Sequence, residues 1–151
     1  MYDWWTFIHC DGLTFESQSK TGVIDGQGYM WWIRELFGLN GAGRPKLIAI
    51  IESRNIEMSG LFITNSPSFH VKPYLCENVY LHDFEIFVDV WGQLELSKLF
   101  SSKLNLHKGI ELPMFPLNTD GIDISGRNFT LRRIKITNWD DAIVVKPLNS
   151  Q

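Results

Sequence analysis

The chain has 151 residues, 44% of them hydrophobic and 13% aromatic, with a formal charge of -3. That length and composition suit one domain with a buried core and exclude a disordered chain. The lack of any Lys/Arg cluster argues against a nucleic-acid partner, which needs concentrated positive charge; no apolar run reaches the ~20 residues that span a bilayer, so no membrane partner is expected.

In chain order, Met1-Tyr2-Asp3-Trp4-Trp5 has neither a basic leader nor a signal-like apolar stretch. Cys10-Asp11-Gly12-Leu13-Thr14-Phe15 then opens a pattern that recurs: a polar start, Asn or Gly, and apolar residues alternating with polar ones. Gly26-Gln27-Gly28 begins like a dinucleotide fingerprint, but Trp31 stands where the third glycine belongs and no βαβ pattern surrounds it, so it reads as a tight turn. Tyr29 to Arg44, with Trp31-Trp32 and a Gly-rich turn, interrupts the pattern; the two tryptophans read as packing residues. The pattern returns from Ser53 through Asn55 to Ile63, from Cys76 through Asn78 to Ile86, and from Gly126 through Asn128 to Ile136. Between the last two, Gly92 to Pro113 forms a second interruption, and the loosely helical spacing of Leu94, Leu96, Leu99, Phe100 and Leu104 predicts a partly helical insertion.

Asn55, Asn78 and Asn128 align, with intervals of 23 and 50 residues, so a further coil or an insertion separates the last two. A period in the low twenties with short alternating strands predicts an all-β solenoid, a parallel β-helix whose coils bury inward-facing Ile, Leu, Val and Phe. A β-sandwich also alternates, but it gives no reason for one Asn-led block to recur at nearly constant spacing. Cys10 and Cys76 lack metal spacing and are either a disulfide or two thiols.

Chemistry concentrates near the C-terminal end. Asn118-Thr119-Asp120-Gly121-Ile122-Asp123 is followed about one coil later by Trp139-Asp140-Asp141-Ala142, which predicts that Asp120 faces Asp140 and Asp141 across one rung of ~4.8 Å. Crowded carboxylates cannot all ionise freely; one holds its proton as a general acid while its neighbours stay charged and activate water. Acidic residues in solenoid turns are otherwise solvated caps, and the one-coil offset to a third aspartate is what favours chemistry here. Asn118 and Asp123 orient Asp120 or meet a sugar hydroxyl, or else stabilise the turn. Trp139 stacks on a sugar ring or packs beside its strand. The four histidines, His9, His70, His82 and His107, show no metal spacing and read as structural, with His70 the one expected nearest the active face. An EF-hand reading of Asp120 to Asp123 fails for want of the later ligands.

Asn118-Thr119-Asp120-Gly121-Ile122-Asp123, the Asn-led strand and Trp139-Asp140-Asp141-Ala142-Ile143-Val144-Val145-Lys146-Pro147, in that order, resemble the catalytic core of family 28 glycoside hydrolases, the polygalacturonases and their relatives. Gly22 to Gly28 with Trp31-Trp32, Arg44-Pro45, and Asn65-Ser66-Pro67-Ser68-Phe69-His70 agree, so the likeness covers most of residues 10 to 147. The resemblance implies a right-handed parallel β-helix that cleaves α-1,4 bonds between galacturonic acid units of pectin with inversion. It implies no cofactor and no metal, a monomer when complete, and an extracellular or cell-wall setting. It assigns Asp140 as general acid and Asp120 with Asp141 as activators of water; Asn118, Asp123, Trp139 and His70 stand beside them as the candidate substrate contacts read from the residues.

Departures accompany the match. The family usually has Gly before the Asp pair and Cys after it, where this chain has Trp139 and Ala142. Its Gly-His-Gly histidine and Arg-x-Lys pair follow the Asp pair, and no counterpart stands between Ala142 and Gln151; Arg132-Arg133-Ile134-Lys135 precedes the pair. Residues 1–151 therefore read as one partial, truncated β-helix catalytic domain, impaired as it stands, with an exposed apolar cross-section that favours aggregation or low stability. A non-catalytic carbohydrate-binding solenoid and a Ca²⁺-dependent pectate lyase-like enzyme are the alternative readings.

Overall fold

Period-2 burial builds each wall, and single left-handed residues turn the corners between walls. The structure is a computed structural model that describes residues 3–93, 95 and 116–148. Its first coil carries β1 (Trp5–Ile8), β2 (Thr14–Glu16) and β3 (Gly22–Asp25), followed by helix α1 (Tyr29–Leu36). The second has β4 (Ile48–Ile51), β5 (Arg54–Ser59) and β6 (Leu61–Thr64); the third has β7 (Val71–Tyr74) and the long β8 (Cys76–Phe87). After the residues that lie outside the description come β9 (Ile122–Ile124), β10 (Gly126–Thr137) and β11 (Ile143–Val145). One five-stranded sheet runs β1-β4-β7-β9-β11, and β10 pairs with β8 in the other. Every named strand pair is parallel, which is the predicted β-helix.

β8 shows how sequence sets the bends. Val79 and Leu81 point inward, then Phe84 and Ile86, so alternation slips by one residue at Asp83. Asn78 and Asp83 are the residues with φ of 55° and 53°, and Asn128 and Arg133 repeat both bends on β10. Asn tolerates this region better than most residues because its short amide bonds locally. Here the amides also bond between coils: Asn128 Nδ2 donates to Asn78 Oδ1 at 2.7 Å, Asn78 Nδ2 to Asn55 Oδ1 at 3.0 Å, and Asn55 Nδ2 to Asp11 Oδ1 at 2.7 Å. The Asn-led repeat is thus a ladder along one corner.

Because Arg127 pairs with Glu77 and Phe129 with Val79, Asn128 stacks directly on Asn78. The 50-residue interval is therefore an insertion and not a further coil. The partly helical stretch expected at 92–113 lies almost wholly outside the described residues, as does His107. The earlier interruption contains α1, which buries Tyr29 and Trp32 with Val88 and Val90. Trp32 donates its indole N–H to Ser66 O at 3.0 Å. Gly26 and Gly28 are a tight approach as expected, since a Cβ on either would meet Asn65 O within 2.7 Å.

The core runs through Ile48, Ile50, Met58, Ile63, Val71, Leu81, Ile86 and Ile122. Its cover thins at β10 and β11, where Leu131 and Ile136 are half-buried and Ile143 and Val145 exposed. Cys10 and Cys76 are free thiols. Asp11 bridges to Arg54 and Arg54 pairs with Glu77, so two rungs, about 9.6 Å, separate the cysteines, beyond disulfide reach.

Asn78→Ala removes two inter-coil hydrogen bonds and puts a Cβ-bearing residue without local bonding at φ 55°, which should lower stability by about 1–3 kcal/mol. Asn78→Gly keeps the bend and should recover roughly 1 kcal/mol of that. Urea midpoints for the two variants check this; equal losses would mean that the left-handed corner contributes nothing.

Candidate active site

The parallel ladder of the five-stranded sheet sets the geometry. Gly121 N donates to Asp141 O at 2.9 Å and Ile122 N to Ala142 O at 3.0 Å, so the residues entering β9 lie one rung from those entering β11. Gly121 permits this approach, because a Cβ there would stand 2.4 Å from Ala142 O. Asn138 ties the two rungs with bonds from its Nδ2 to Thr119 O at 3.1 Å and to Asp141 O at 2.8 Å. One carboxylate oxygen from each of Asp120, Asp140 and Asp141 lies within 4.8 Å of the other two. Asp120 is 6% exposed, whereas Asp140 and Asp141 face solvent.

Environment separates the three chemically. Burial raises the Asp120 carboxyl to about 6, and the charges of Asp123, Asp140 and Asp141 push the same way. Its Oδ1 is buried without a hydrogen-bond partner. Asp140 is held instead by N–H donors, from Asn118 to Oδ2 and from Asp141 to Oδ1, both at 3.0 Å. The trio therefore offers one carboxyl that keeps its proton well above the usual carboxylate range beside two solvated partners. Three such oxygens would also suit a hard cation, although Ca²⁺ takes six to eight oxygen ligands.

Other predicted contacts fall into two groups. Asn118 and Trp139 are exposed beside the carboxylates, open to a ligand; Trp139 is 51% exposed. His70 and Asp123 are buried. His70 is fully buried: Ser66 N–H donates to its Nε2 at 3.3 Å, which leaves Nδ1 to donate to Asp120 O at 2.9 Å. Burial lowers its pKa to about 4, so the ring is neutral and anchors the Asp120 backbone. Asp123 is 1% exposed because Lys146 closes over it in an ion pair. His9 and His82 pair with Glu52 and with Glu57 and Asp83, away from the trio. Arg133 and Lys135 bond Asp83 and Glu85 on the other sheet.

Arg44 is the residue whose role the sequence did not disclose beyond its place in a matching block. Its guanidinium, 4% exposed, donates to Pro67 O at 3.0 Å, to Leu117 O and to Asn118 Oδ1 at 3.0 Å, and lies 3.6 Å from Glu35. It thereby fixes the segment whose Asn118 N–H holds Asp140. No local spacing signals a contact spanning 74 residues.

Fold and trio together define a parallel β-helix with three carboxylates clustered where adjacent strands of one sheet begin. The chain belongs to the glycosyl hydrolases family 28, whose family model matches residues 4–151. It is 32% identical over 146 residues to a polygalacturonase of Juniperus ashei, covering 92% of this chain and 24% of that protein. It is 30% identical over 139 residues to endo-xylogalacturonan hydrolase A of Aspergillus tubingensis, covering 91% of this chain and 29% of the relative. The crystal structure of the Aspergillus tubingensis enzyme superposes with a TM-score of 0.69 at 26% identity, over 94% of this chain and 35% of that one. A polygalacturonase from Erwinia carotovora superposes with a TM-score of 0.72 at 23% identity, over 99% and 36%, a likeness of fold. The chain spans about a quarter of the length of the curated relatives it matches.

Asp120 carries a pH prediction. A carboxyl whose folded pKa is raised to about 6 contributes most stability below its unfolded value near 4 and loses it as pH rises through 6. Asp120→Asn should therefore gain stability on the wild type at pH 7, on the order of 1 kcal/mol, with the gain vanishing by about pH 4. Urea melts of both proteins at pH 4, 5, 6 and 7 read the difference; a gain that grows on acidification would remove the assignment.

Proposed function

We propose that this chain carries the acid/base centre of a pectin hydrolase acting on α-1,4 bonds between galacturonic acid units. The supporting observation is the trio within 4.8 Å, with one buried carboxyl raised to about 6. Hydrolysis of a glycosidic bond needs a proton for the leaving oxygen and a base for the attacking water, and such a trio supplies both.

The family resemblance gives the acid role to Asp140. In the unliganded site Asp120, deeper and less solvated, is the carboxyl that burial raises to about 6. The two statements concern different states of the site, empty and with a sugar bound. Asp140 is solvent-facing and adjacent to Trp139, so a sugar seated on the indole brings its glycosidic oxygen to Asp140 first. Asp120 and Asp141 then hold the water.

An extracellular, cell-wall setting goes with this substrate. Inversion is the stereochemistry proposed from the family resemblance; the close packing of the oxygens alone does not select it, since inverting pairs usually stand ~6.5–9.5 Å apart.

Reducing-sugar release from polygalacturonate in EDTA tests the reading, with this chain alone and joined to the downstream coils of a family 28 relative. The joined protein should hydrolyse, Asp140→Asn should lower its kcat by about 10²–10⁴-fold, and first-formed product should carry the inverted anomer by NMR. Chelator-sensitive release of unsaturated product would favour a Ca²⁺-dependent lyase. Tight oligogalacturonate binding with no turnover in either protein would favour a binding solenoid.

A further inference from the structure

Away from the carboxylates, the outer face of the five-stranded sheet holds three lysines close together. Val71 and Pro73 of β7 are buried, so Lys72 and Tyr74 alternate onto the outer face. There they line a cavity of about 160 Å³ with Asp3, Lys46, Ala49 and Ile51. Lys72 Nζ also sits 5.4 Å from the centre of the Phe69 ring, which Lys146 Nζ approaches to 4.9 Å. Lys72 thus stands between Lys46 in the cavity and Lys146 across the ring.

The three amines differ in their partners. Lys46 Nζ is paired with Asp3 at 3.1 Å, and Lys146 with the buried Asp123. Lys72 has no carboxylate within ion-pair distance among the described residues. It is half-buried, and burial first, then Lys46 and Lys146, hold its pKa below the ordinary lysine value, with Asp123 and Asp3 offsetting part of this. A partly desolvated, unpaired ammonium flanked by two others favours an anionic ligand, and the Phe69 ring shields it from water on one side.

We propose that the Lys46–Lys72 groove is a carboxylate-binding subsite, which takes the uronic-acid carboxyl of a sugar unit away from the point of cleavage. Lys72 supplies the ligand ammonium, with Lys46 supporting it and Tyr74 offering its ring to the sugar. Position supports one continuous ligand. Val71 pairs with Ile122, which sets Lys72 beside Asp123, one rung across and about 10 Å along the strand from Asp120. The inference rests on the galacturonan reading of the carboxylate trio and adds to it a residue that selects acidic over esterified sugars.

Calorimetric titration of the full chain with hexagalacturonate in EDTA tests it, alongside Lys72→Met, Lys72→Arg, and Lys20→Met as a charge control on the other sheet. Lys72→Met should weaken binding about tenfold, Lys72→Arg should stay within about threefold of wild type, and Lys20→Met should change nothing. The fully methyl-esterified hexamer should bind wild type and Lys72→Met alike. Unchanged binding by Lys72→Met, or an equal loss in Lys20→Met, overturns the subsite while leaving the galacturonan reading in place. If wild type binds no hexagalacturonate, that reading and the subsite fall together. Matching urea midpoints for wild type and Lys72→Met would show that a loss of binding is not a loss of fold.

Discussion

In-register parallel stacking governs this molecule. Each coil hydrogen-bonds to the next over equivalent residues, so a residue type repeated once per coil becomes a row. Inward rows are Ile, Leu, Met and Val, and they supply the burial that holds the fold. The corner row of Asn55, Asn78 and Asn128, ending on Asp11, satisfies side-chain amides between coils at bends where the backbone of the three asparagines is left-handed. A one-residue slip would put apolar side chains in water and break the amide row at once. Register is therefore doubly determined.

The carboxylate trio draws its precision from that same register. Loops elsewhere on the solenoid vary in length, but Asp120 and the Asp140-Asp141 pair enter adjacent strands of one sheet, so their separation is inherited from the ladder. Asp120 is pinned again from the other side by the backbone and ring N–H groups of His70. His70 is oriented by the Ser66 turn, and Trp32 of α1 bonds the carbonyl of Ser66. A chain of contacts thus runs from an inserted helix to the backbone of Asp120, the buried carboxyl of the trio. Neutral His70 suits this place: a charged imidazole would be unpaired in a fully buried site and would lower the Asp120 carboxyl that burial raises.

How much of this was legible depended on range. The Asn row was visible because it repeats, and the trio because one-coil spacing converts directly into one rung. The meaning of the 50-residue interval was not, since an extra coil and an insertion have equal length in sequence; only the pairing of Glu77 with Arg127 decides it. Helix α1 was hidden by its short span and by tryptophans that read as simple packing residues. The burial of His70 and of Asp123, named for its place beside Asp120, was not legible either. The side chains that cover them come from other coils: Lys146 lies 23 residues beyond Asp123. The same limit hid Arg44.

Arg44 shows why a buried charge belongs at this rim. Burial pulls its pKa down, while Glu35, Asp120 and Asp140 act to keep it charged. Its guanidinium spends its donors on carbonyls of two loops and on Asn118, and so converts a desolvation cost into fixed geometry. The gain is electrostatic as well. Arg44 pairs with Glu35 and feels Asp120 and Asp140 at longer range, so it is not locked to either of those two as an ion pair. Asp120 can then hold a proton near pH 6 while Asp140 and Asp141 remain in water. A direct Arg–Asp120 pair would stabilise the charged form and lower the carboxyl that burial raises. Indirect support through Leu117 and Asn118 positions the trio and leaves its proton free to move.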